Sequence, residues 1–139
     1  MVAQQRKTII DALVTQLETD VTDFGLVTDK VLHSATIPTD KYPACIIFEG
    51  GDRKRNNVTS SQDFILDVAI RILTKDEDQD DISRDLMEAV VDSINGDLTL
   101  GGTCIFADVM DGDPPVQWPA KQGVHIRDML LFIHYRRDR

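Results

Sequence analysis

The sequence has no long hydrophobic run. Its longest apolar stretches, residues 44–48 and 129–133, are far shorter than the roughly 18 apolar residues of a transmembrane helix. The first eight residues also lack the apolar core that a secretory signal peptide carries. We therefore expect a protein that is made in the cytoplasm, stays there until it is assembled or released, and does not contact a membrane.

Basic residues are also scarce. The 139-residue chain has 15 Lys and Arg against 24 Asp and Glu, which gives a formal net charge of -9 at pH 7. Proteins that bind nucleic acid neutralise its phosphates with clustered Lys and Arg, so this balance argues against a nucleic-acid binder. An acidic protein is still compatible with a channel through which DNA passes without specific binding.

Cysteine is nearly absent: the chain has only Cys45 and Cys104, each in an apolar, strand-like segment. In a reducing compartment we interpret both as buried free thiols rather than as a disulfide. Neither has a Lys or His nearby in sequence that would lower its pKa, which argues against a catalytic nucleophile.

The common catalytic and nucleotide-binding motifs are missing as well. The sequence contains no G-x-S-x-G, no complete Walker loop and no G-x-G-x-x-G. The three histidines, His33, His125 and His134, show no Cys/His ligand spacing, and we interpret them as structural or surface residues. We predict that the protein is not an enzyme and has no catalytic, metal or cofactor site.

Two acidic groups are the candidates for a cation site. The first comprises Asp76, Glu77, Asp78, Asp80 and Asp81. An EF-hand loop starting at Asp76 would need Gly and Glu where Asp81 and Met87 stand, so we interpret this group as a solvated helix start. The second comprises Asp108, Asp111 and Asp113 beside a proline-rich loop that ends near Trp118. A small cytoplasmic ligand-binding domain or enzyme with its site in loop 108–118 therefore remains an alternative.

Hydrophobic periodicity predicts two amphipathic helices. Apolar residues recur at helical spacing over about residues 3–20, with Ile9, Leu13 and Leu17 on one face. A second helix is predicted after the capping box that runs from Thr74 to Glu77. It buries a stripe of apolar residues and ends at residues 95–96. The stripe is Ile82, Leu86, Ala89, Val90 and Ile94.

The strand signals lie between and after these helices. Residues 42–49 and 125–137 are apolar on both faces, and residues 103–110 are also apolar. Residues 64–73 alternate between apolar residues on one face and other residues on the opposite face, and a weak strand candidate follows residue 26. The order predicts one α+β domain over residues 1–139, with a mixed or mainly antiparallel sheet, a long hairpin and two packed helices. Because two helices leave part of such a sheet uncovered, a neighbouring subunit is expected to cover the rest.

Arg53, Lys54 and Arg55 form the densest positive charge before the carboxyl terminus. They lie between paired glycines and paired asparagines, which predicts the mobile tip of a hairpin. We interpret this group as a candidate contact with a neighbouring subunit or another partner, the alternative being a solvated hairpin end.

The order of elements resembles the tail terminator, or tail completion, proteins of long-tailed bacteriophages. The resemblance rests on a leading helix, the strand Tyr42-Pro43-Ala44-Cys45-Ile46-Ile47-Phe48, a return strand, an acidic-capped helix and a closing strand from Gly123 to Tyr135. It covers nearly the whole chain and implies a structural protein without catalytic residues.

The resemblance also implies an assembly. Such a protein forms a ring, most often a hexamer, that stops growth of the tail tube and joins the tail to the neck. Its expected partners are other copies, the tail tube protein and a neck or connector protein, and its expected location is the head-proximal end of the tail in the virion. Another head-tail neck or adaptor protein is the closest alternative.

Overall fold

The computed structural model of the chain describes residues 2–30, 37–57, 61–75, 79–109 and 124–138. It contains two α-helices and a five-stranded mixed sheet, which confirms the predicted α+β class. Within these ranges, neither helix combines the length and apolarity needed to span a membrane. The helices are α1 (Val2–Asp20) and α2 (Gln79–Gly96). The strands are β1 (Leu26–Thr28), β2 (Ala44–Asn57), β3 (Ser61–Lys75), β4 (Phe106–Val109) and β5 (Val124–Asp138).

The strand order across the sheet is β1-β2-β3-β5-β4. β1 pairs with β2 in parallel, and the other three pairings are antiparallel. The predicted long hairpin is β2–β3, and the unbroken β3–β5 ladder continues it from Ser61↔Asp138 to Lys75↔Val124. β1 and β4 are much shorter than the three central strands, so they cover only part of the two sheet edges.

Both helices pack on one side of the sheet, which we call the inner face. The main core joins apolar residues of α1 and α2 to alternate residues of all five strands. It includes Ile9, Leu13 and Leu17 of the first predicted helical stripe, all with no exposed surface. Alternate strand residues point to one face, so the period-two pattern of β3 and β5 produces this layer directly.

The opposite side of the sheet is the outer face. One corner of it is covered by a second, smaller core around Ile37, Ala44, Ile46 and Leu73. The two-sided apolar pattern of β2 is therefore satisfied within the chain itself. The outer residues of β5 are less protected: Phe132 is half-buried and Leu130 is exposed. The uncovered part of the sheet thus lies toward β5 and β4.

The start of α2 differs from the prediction. Thr74 lies in β3 and pairs with His125 of β5. Its buried hydroxyl has no hydrogen-bond partner among the described residues, so Thr74 does not cap a helix. Ile82, predicted to be buried, is 42% exposed. Ser83 takes the inward position instead and accepts a hydrogen bond from Arg127 Nε at 3.0 Å. The continuing β3–β5 ladder outweighs the local capping signal here.

The segment before β4 also differs from the prediction. A strand was expected over residues 103–110, but β4 contains only Phe106–Val109. Residues 97–105 form turns, in which Leu100, Gly101 and Gly102 have positive φ. The predicted turn at Gly101 and Gly102 is therefore confirmed, whereas Cys104 lies in the turn segment rather than in a strand.

Candidate interaction surface

The basic segment Arg53-Lys54-Arg55 is not a hairpin tip. Its backbone lies in β2, where Arg53 pairs with Ile65 and Lys54 pairs with Phe64 of β3. The prediction of a mobile tip between two strands is therefore wrong. The reason is register: the β2–β3 ladder resumes after an irregularity between Glu49 and Asp52 and reaches Asn57↔Gln62, with a second irregularity between Lys54 and Asn56. The ladder hydrogen bonds, which a local turn signal does not report, extend the hairpin past the charged residues.

This basic part of β2 is a sheet edge in the described structure. β1 pairs with Ala44, Cys45 and Ile46 alone, so residues 49–57 have no strand partner on the β1 side among the described residues. Charged residues and bulges are common protection for such edges, because they disfavour pairing with an identical strand. Like charges placed directly opposite each other in a β2–β2 pair of two copies would repel.

The opposite edge of the sheet is organised by Asp97. Its carboxylate accepts hydrogen bonds from the Thr99 hydroxyl at 2.8 Å and from the Gly101 backbone N–H at 2.9 Å. These two bonds hold the pKa of Asp97 below its ordinary value. The Asp-x-Thr turn was a recognisable signal in the sequence, since Asp and Thr side chains often bond the backbone two residues on. It fixes the chain between α2 and β4.

The turn places apolar side chains beside β4. The Ala107 backbone N–H donates to the Leu98 carbonyl at 2.7 Å, and the Ile105 N–H donates to the His134 carbonyl at 2.8 Å. Leu98 and Ile105 are nevertheless 42% and 43% exposed, and Asp108 of β4 is exposed as well. We call Leu98, Ile105 and Asp108 the β4 edge. Sequence patterning did not identify its two apolar residues as surface residues.

The outer face between these edges carries aromatic and charged side chains. The rings of Phe106 and His134 stack with centroids 4.1 Å apart. Arg71 forms a two-bond ion pair with Asp128, at 2.8 and 3.0 Å, and lies over the Phe48 ring at 5.0 Å. Hydrogen bonding to Asp128 is the main cause of a raised Arg71 pKa. The ion pair is satisfied within the chain, so it does not by itself indicate a ligand.

The two thiols lack the setting of a nucleophile. Cys45 is fully buried in β2, and burial raises its pKa to about 12. Cys104 is half-buried, and its Sγ lies 3.6 Å from the Leu98 carbonyl oxygen. Burial, and to a lesser extent the negative charge of Asp97, raises the pKa of Cys104 to about 11. Both cysteines are free, as predicted. At neutral pH both are protonated, and the thiolate is the reactive form.

We expect both thiols to react slowly with iodoacetamide at pH 8 in the folded protein, Cys45 more slowly than Cys104. The double variant Cys45→Ala, Cys104→Ala is expected to assemble normally, with a stability loss of about 1 kcal/mol. Loss of assembly by a well-folded double variant would contradict this interpretation.

The two thiols also make the free energy of unfolding depend on pH. Because folding raises the pKa of both thiols above 9, they stabilise the folded protein below pH 9, and this stabilisation is lost as the pH rises toward 12.

The remaining predicted candidates are dispersed or lie outside the described residues. Among the described residues, no group of three His, Cys, Asp or Glu side chains is placed to hold a metal ion. His134 is in the Phe106 stack, and Asp108 is on the β4 edge. His33, residues 76–78 and residues 110–123, with Asp111, Asp113 and Trp118, lie outside the described ranges.

No protein-family model matches the chain, and no curated protein matches its sequence.

Proposed function

We propose that this protein is a structural subunit that forms a ring, which ends a bacteriophage tail tube and joins the tail to the neck. In this proposal the protein is not an enzyme, and the ring is a hexamer at the head-proximal end of the tail. The proposal rests on the layout of the chain, which resembles the tail terminators, and on one structural observation: the uncovered apolar surface toward β5 and β4.

That surface is what supports an assembly role. Both helices pack on the inner face, while Leu98, Ile105 and Leu130 remain 42–43% exposed at or near the β4 side of the sheet. Single exposed apolar residues are ordinary, but Leu130 lies on the outer face of β5 beside half-buried Phe132, and half-buried Phe106 lies on the outer face of β4. Neighbouring apolar residues of this kind are typical of a contact surface. Burying such a group against another copy would remove it from water.

The charge balance is compatible with the same role. A net charge of -9 disfavours tight binding to phosphates, because DNA affinity depends on clustered cations. A ring through which DNA slides without being held benefits from this property. The proposed partners are therefore the tail tube protein on one side and a neck or connector protein on the other.

The proposal predicts self-assembly into a ring. At micromolar concentration, size-exclusion chromatography with multi-angle light scattering should give a mass near six times 15.6 kDa, alone or after addition of the tail tube protein. Electron microscopy of that fraction should show closed rings. A strict monomer under both conditions would exclude a ring-forming subunit. A monomer with a metal-dependent thermal shift would instead favour the ligand-binding alternative.

Binding assays separate the tail terminator from another neck component. A terminator ring should bind the end of the assembled tail tube and stop its elongation. A neck or adaptor ring should bind the connector without affecting tube length. Tube length with and without the protein, measured in electron micrographs, distinguishes the two.

A further inference from the structure

We draw no further inference here: the strongest candidate, the patch of exposed Leu130 with half-buried Phe132 and Phe106 on the outer face of the sheet, belongs to the surface on which the proposed function already rests, and nothing in the described parts of the chain shows what covers it.

Discussion

Replacing Leu131 with alanine is expected to lower the free energy of unfolding by about 2 to 5 kcal/mol, enough to threaten the stability of a small domain. Leu131 has no exposed surface, lies on the inner face of β5, and pairs with Val68 in the centre of the sheet. Removing its buried side chain loses the transfer free energy and leaves a cavity that the ladder on both sides of β5 prevents from closing. Urea unfolding followed by circular dichroism measures the loss.

The adjacent residue is the matched control. Leu130 points to the outer face and is 43% exposed. Leu130→Ala is expected to change the free energy of unfolding by well under about 1 kcal/mol, because much of that side chain is already in water. Equal losses at the two positions would mean that β5 does not have the inner and outer faces described here.

Replacing Gly50 with alanine is expected to cost about 1 to 3 kcal/mol of stability. An added Cβ at Gly50 would lie 2.7 Å from the backbone oxygen of Asp67, closer than a real Cβ contact allows. Since the obstacle is the backbone of the central strand β3, relief requires a shift of the β2–β3 ladder. This close approach occurs at the irregularity that precedes the basic segment.

Gly51 provides the control for this substitution. A Cβ added there would meet nothing within 4 Å, so Gly51→Ala should stay within about 0.5 kcal/mol of the unmodified protein. Thermal unfolding of both variants gives the comparison. If Gly51→Ala were as damaging as Gly50→Ala, the close contact with Asp67 would not be the cause.

The sequence pattern predicted the layers of the molecule well because those layers depend on local periodicity. Ile9, Leu13 and Leu17 recur at helical spacing, and all three are buried under the sheet. The alternation in β3 separates Leu66, Val68 and Ile70, which are buried, from half-buried Asp67 and Ala69. These assignments need no knowledge of which strand lies beside which, since side-chain direction follows from the strand itself.

Pattern reasoning was less successful where local and distant interactions compete. Thr74 does not cap a helix, although the local sequence predicts it, because β3 remains paired with β5 as far as Lys75. The basic segment is a strand for the same reason, since paired glycines and asparagines predict a turn only when no neighbouring strand supplies a ladder. The exposure of Leu98 and Ile105 was not predicted, because an isolated apolar residue in the sequence does not indicate whether its side chain is buried or exposed in the folded protein.

The sequence by itself determined the composition of the two layers, namely which helix faces are apolar and which strand residues point inward. It also determined that the net charge is acidic, with one dense basic segment before the carboxyl terminus. Strand order and register were decided only in the tertiary structure, because ladder hydrogen bonds join residues that are distant in sequence. That register places Arg53 and Phe106 in one row and puts the basic segment and β4 on opposite sides of the central strands. A one-residue change of register would move every side chain of a strand to the other face, so no local pattern specifies this arrangement.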